Sequence, residues 1–105
     1  MLIQTGGGLL DMCVLAALDR EDLYGYRLTR QIKQVLDVSE SALYPVLRRL
    51  KKDGLLETYD RQTDGRNRRY YRMTEPGRRR LAEYKQEWEI LSSQIDTILE
   101  GGKDI

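Results

Sequence analysis

The chain has 105 residues, enough for one small domain, with 33% charged residues against 40% hydrophobic and a mean hydropathy of −0.63. It has no histidine and one cysteine, Cys13, which excludes an internal disulfide, a tetrahedral zinc site and a Ser–His or Cys–His catalytic pair, so no metal or other cofactor is expected. The formal net charge of +1 conceals an asymmetry: residues 1–47 carry four Lys/Arg and six Asp/Glu, residues 48–80 twelve and five, and residues 81–105 two and six, a basic middle of the kind that meets a polyanion.

Residues 1–8 end in three consecutive glycines, whose backbone entropy opposes helix or strand, so a flexible lead-in is expected. A phosphate-binding loop is disfavoured, because neither the Lys–Ser/Thr pair nor a preceding strand is present. Residues 9–18, LLDMCVLAAL, are nearly all apolar and predict a buried helix of about three turns, with Cys13 packing as a small hydrophobe and a redox switch there the lesser alternative. No apolar run is long enough to span a membrane and no signal-peptide pattern is seen, so a cytoplasmic location is expected. The acids are scattered among Lys and Arg without paired placement, which argues against carboxylate catalysis and against an enzyme.

A polar turn at residues 19–22 leads to LYGYRLTRQIKQVLD, from Leu23. Leu28, Ile32 and Val35 or Leu36 recur at helical spacing. Tyr24-Gly25-Tyr26 opens this predicted helix, with one tyrosine packing and the other near the surface. After a short turn at Asp37-Val38 comes VSESALYPVLRRLKKDGLL. Ser39 is the expected N-cap and Gly54 the residue of positive φ past the end, which sets Leu55 opposite Leu50. At about 100° per residue, Leu43, Val46, Leu47 and Leu50 share one arc, while Ser41, Tyr44, Pro45, Arg48 and Lys52 share the other, with Arg49 at its edge. Small polar groups and a phenol near the N-terminus, followed by cations, suit either a helix whose N-terminal end enters a DNA major groove or the solvated basic face of an ordinary amphipathic helix.

Beyond Gly54 the period changes. Residues 55–62 and 68–73 predict two strands around Thr63-Asp64-Gly65-Arg66, because Asp-Gly between extended segments marks a hairpin. Alternation places Tyr71 and Met73 inward and Arg68, Tyr70 and Arg72 outward. A basic hairpin can be simply a solvated one, but directly after a helix-turn-helix it is more economically read as the wing of a winged helix. The candidate DNA-binding residues are Tyr24, Ser39, Ser41, Tyr44, Pro45, Arg48, Arg49 and Lys52, with Arg66, Arg68, Arg69 and Arg72 on the hairpin.

Thr74 caps a last predicted helix, with Glu75 and Pro76 in its first turn, that runs to about Glu100 before Gly101-Gly102. At 1.5 Å per residue it spans roughly 39 Å, more than a small domain needs. Leu81, Tyr84, Trp88, Leu91, Ile95 and Ile98 form a heptad seam, expected to pack on a second copy and on the apolar first helix. The expected class is therefore mainly α with a small β-hairpin: a flexible lead-in (1–8), a winged helix-turn-helix (9–74), and a C-terminal dimerisation helix and tail (75–105).

Residues 9–100 resemble the PadR family of bacterial transcriptional regulators, in its short form with a single C-terminal helix. The resemblance rests on LYGY at 23–26, LYPVLRRLKKDGLL at 43–56 and RRYYRMTEPGR at 68–78, in that order and spacing. It implies a homodimer on an inverted-repeat operator, usually a repressor, and in many members a small-molecule inducer. In members that bind planar drugs or dyes, the pocket lies between subunits and uses a tryptophan of the long helix. Trp88 occupies the matching region, and either stacks on such a planar aromatic effector or fills dimer core. The family's founding type answers to phenolic acids, but no carboxylate-binding pocket is legible here, and the glycine-rich start departs from the family's usual lead-in. A winged-helix module that binds protein rather than DNA is the alternative; the basic segment 48–80 argues against it. A metal-sensing repressor is disfavoured by the absence of histidine.

Overall fold

The computed structural model describes residues 8–101. The expected flexible lead-in lies outside this range except for Gly8, which opens the first helix, and so does Gly102 of the expected helix stop. In chain order the elements are α1 (Gly8–Leu18), β1 (Leu23–Tyr24), α2 (Gly25–Lys33), α3 (Glu40–Lys52), β2 (Leu56–Thr63), β3 (Arg66–Met73) and α4 (Glu75–Leu99). The strands form one antiparallel sheet in the order β1-β3-β2. Helices α2 and α3 with the β2–β3 hairpin make a winged helix-turn-helix from which α4 departs.

Local chemistry sets most boundaries. The Ser39 hydroxyl accepts from the Ala42 N–H at the start of α3. At its end Gly54 takes φ 76°, Leu55 N–H donates to Leu50 O at 2.9 Å and Gly54 N–H to Lys51 O at 3.1 Å, the paired bonds of a Schellman ending. The hairpin turns on two residues with positive φ, Asp64 at 55° and Gly65 at 76°, the geometry whose twist matches that of the strands. Thr74 begins α4 by accepting from Gly77 N–H and donating to Gly54 O, so one hydroxyl joins the end of α3 to the start of α4. Gly77 is needed there, because a Cβ would strike the backbone carbonyl of Leu55.

Two local expectations change. Tyr24 is the N-cap of α2 rather than its first helical residue. Leu23 and Tyr24 pair with Tyr71 and Tyr70 as a short third strand, and α2 starts at Gly25. The second helix also stops at Lys33, where Val35 N–H turns back to Ile32 O and the tighter i→i+3 spacing ends the stripe. Val35 is therefore 84% exposed, and Leu36 half-exposed, rather than continuing the core.

Helix α1 is the hub and packs against α2, α3 and α4. Its Val14, Leu15 and Leu18 meet Leu28 and Ile32 of α2, the buried arc of α3, and Leu81 and Tyr84 of α4 in one cluster that also takes in Leu55, Leu56 and Met73. Cys13 is half-buried, and burial pushes its thiol pKa up, away from the reactive thiolate. No described helix is long and apolar enough to cross a membrane.

Candidate nucleic-acid interface

The two arcs of α3 separate as the spacing requires. Leu43, Val46, Leu47 and Leu50 are buried, while Ser41, Tyr44, Pro45, Arg48 and Lys52 are exposed. Tyr44 is 38% exposed. Ser39 and Ser41 share a hydroxyl–hydroxyl bond of 2.9 Å at the N-terminal end. Pro45 lies inside the helix and removes the N–H that would pair with the Ser41 carbonyl, so that acceptor joins the outer arc. Arg48 and Lys52 have no carboxylate partner among the described residues. Arg49 does have one: it turns back into the protein and grips Asp11 of α1 with both guanidinium nitrogens, at 2.6 and 2.7 Å. That bond to Asp11 raises the already high pKa of Arg49.

The face of the sheet opposite the helices is paved with tyrosine. Tyr70 stacks on Tyr59 with ring centroids 5.5 Å apart and meets Tyr24 edge-on at 5.6 Å. Its hydroxyl bonds Thr63 Oγ1 at 2.7 Å. Alternation does put Tyr70 on the outward face with Arg68 and Arg72, but these neighbours cover it to 6% exposure. Tyr59 donates to Asp22 at 2.6 Å, and that bond holds its phenol above its ordinary pKa. Three arginines lie over this pavement: Arg61 on Tyr70, Arg68 on Tyr24 and Arg72 on Tyr59, at 4.8, 4.3 and 5.0 Å from the ring centroids.

Strand pairing sorts these cations. Asp60 lies opposite Arg69 and Glu57 opposite Arg72, and both form cross-strand ion pairs, at 3.5 and 2.7 Å. Arg66 beside the turn and Arg68 have no carboxylate partner among the described residues. Neither does Arg61, which lies opposite Arg68. Arg61 is missing from the candidates read from sequence, although the two-residue turn is enough to place it beside Arg68. Among the cations expected to meet DNA, Arg48 and Lys52 on α3 and the pair Arg66 and Arg68 have no carboxylate partner among the described residues, while Arg49, Arg69 and Arg72 do.

The seam of α4 divides. Leu81 and Tyr84 are each 3% exposed and belong to the protomer's own core, and Leu91 packs against its edge. Trp88 is 41% exposed, Ile95 42% and Ile98 61%. The apolar spacing therefore continues past the point where this protomer has anything to cover it.

Comparison with known proteins agrees with this geometry. A family model described as the transcriptional regulator PadR-like family matches residues 14–83. A transcriptional regulator of Mycobacterium tuberculosis is 41% identical over 80 residues, which is 75% of this chain and 74% of that protein. A PadR-like transcriptional regulator of Bacillus cereus superimposes with a TM-score of 0.82 at 34% identity, covering 90% of this chain and 94% of the other. A PadR family regulator of Clostridium difficile gives a TM-score of 0.80 at 28% identity, covering 88% and 99%.

Proposed function

Because the chain belongs to the PadR-like family of transcriptional regulators, we propose that it is a cytoplasmic homodimer that binds an inverted-repeat operator and represses transcription until a planar aromatic effector releases it. The observation that carries the DNA-binding mode is the outer arc of α3, where Ser41, Tyr44, Arg48 and Lys52 are exposed and the two cations have no carboxylate partner among the described residues, while every leucine of the helix is buried. On this reading the N-terminal end of α3 enters the major groove, Arg48 and Lys52 meet flanking phosphates, and Arg66 and Arg68 extend the contact from the wing, with Tyr24 beneath Arg68. The exposed half of α4 supplies the dimer contact. Trp88, at its start, offers the flat uncharged surface on which an aromatic effector stacks.

The test is binding to the DNA upstream of its own gene over a series of salt concentrations. Affinity is expected to fall steeply with salt, and protection to cover two half-sites about 34 Å apart, one turn of the duplex. Tyr44→Ala is expected to weaken operator binding by about 1–3 kcal/mol with the fold intact. A salt-independent affinity, or a single unsymmetrical footprint, would reject the proposal.

A further inference from the structure

Asp11 is 4% exposed on the most apolar helix of the chain. A carboxylate so placed has to be paired and hydrogen-bonded. Its oxygens are reached from two directions. Arg49 of α3 comes as a fork, Nη1 to Oδ2 at 2.7 Å and Nη2 to Oδ1 at 2.6 Å. From α4, the Tyr84 hydroxyl donates to Oδ2 at 3.2 Å. One side chain on the central helix thus holds both the reading helix and the helix that leaves the domain.

This gives two adjacent arginines different work. Arg48 is exposed without a carboxylate partner among the described residues, and its charge is available to a phosphate. The charge of Arg49 is already matched by Asp11 in a two-point geometry that fixes the plane of the guanidinium. The two ends of the pair are also unequal, since the Arg49 side chain is 48% exposed and that of Asp11 only 6%. Loss of Arg49 would leave a buried carboxylate with only a phenol, whereas loss of Asp11 would leave a guanidinium that water can reach.

We propose that Asp11, Arg49 and Tyr84 form the joint through which α4 sets the orientation of α3. In it Arg49 and Tyr84 are positioning residues, and Arg49 makes no phosphate contact. The inference rests on the DNA-binding reading above. Trp88 stands one helical turn beyond Tyr84 on the same face of α4. A displacement of α4 at Trp88 reaches the Tyr84 hydroxyl first, then Asp11, then the Arg49 fork on α3. The coupling is reciprocal, so DNA that favours one orientation of α3 favours the matching position of α4.

The experiment uses the full-length protein and a duplex that it selects from a random-sequence pool. Selection of no duplex would overturn the DNA-binding reading and the joint with it; the remaining outcomes bear on the joint alone. Arg48→Ala is expected to reduce the slope of log affinity against log salt by about 0.9 for each phosphate that the side chain neutralised. Arg49→Lys keeps the charge but loses the fork, and is expected to bind about ten-fold more weakly with the parent slope. Arg49→Met is expected to do the same or to fail to fold, in which case Arg49→Lys decides. Parent affinity in Arg49→Lys, or a slope in Arg49→Met reduced as in Arg48→Ala, would make Arg49 a phosphate contact and overturn the proposal. Tyr84→Phe retains the ring, and with an unchanged circular dichroism spectrum is expected to lower the ratio of selected to random duplex affinity about ten-fold. An unchanged ratio would remove α4 from the joint.

Discussion

The two halves of α4 carry the same apolar spacing and meet opposite surroundings. Through Tyr84 the spacing is answered inside the protomer: Gly77 lies against the Leu55 carbonyl, and Leu81 and Tyr84 are buried against the core that α1 organises. From Trp88 onward the same spacing loses that cover: Leu91 still packs against the edge of the core, but Trp88 and Ile95 are 41% and 42% exposed, and Ile98 and Leu99 61% and 77%. A heptad pattern thus reports that a helix has a dry face. It does not report whether the partner is the same chain or another, because the period of an α-helix is identical in both cases.

Substitutions along the helix sharpen this contrast, and their effect on the protomer should fall with distance from the core. Leu81→Ala, in the anchored half, is expected to cost about 3 kcal/mol, through reduced burial and the cavity left behind. Urea unfolding should register it as a lower midpoint with an unchanged slope, at every protein concentration.

Trp88→Ala, at the boundary, is expected to cost about 1 kcal/mol in the protomer, since the indole is only partly covered there. Trp88 is the only tryptophan, so its fluorescence reports on this position alone. Quenching by planar aromatic compounds is the expected result in the parent, and calorimetry is expected to show that the substitution abolishes their binding in a dimer that persists; a dimer that loosens on substitution and never binds such a compound would make Trp88 interface core.

Ile98→Asp, in the free half, is expected to change protomer stability by less than about 0.5 kcal/mol. It should nevertheless shift the monomer–dimer equilibrium in sedimentation and flatten the dependence of Tm on protein concentration, because a dimer's apparent stability includes its association. An unchanged sedimentation profile would break the comparison by leaving the free half without a partner.

Much of this architecture is legible in the sequence because its determinants are close together along the chain. The N-caps at Ser39 and Thr74, the Gly54 ending, the Asp64-Gly65 turn and the buried arc of α3 each depend on residues within one or two turns of one another. The early end of α2 is the local exception. Val35 and Leu36 keep the spacing of a core stripe, but tightening at Ile32 rotates them away from it. The third strand escapes notice because Leu23 and Tyr24 are too few to show a period of their own and become a strand only by pairing with β3.

The candidate interface divides in the same way. By itself the sequence determined the four helices and the hairpin, though not the end of α2 or the short strand at Leu23–Tyr24, as well as which arc of α3 is dry and that cations gather between residues 48 and 80. Those features follow from backbone periodicity and from side chains acting on their own neighbourhood. The acids opposite Arg69 and Arg72 follow from the register of the two-residue turn, but only the tertiary structure decided that Tyr70 is covered and that the half-exposed Arg49 turns its guanidinium onto Asp11 of α1. Arg49 and Asp11 are 38 residues apart, and Tyr84 and Asp11 73. Charge and spacing identify a cation that needs a partner, but which anion lies within 3 Å of it is settled by helices packing together.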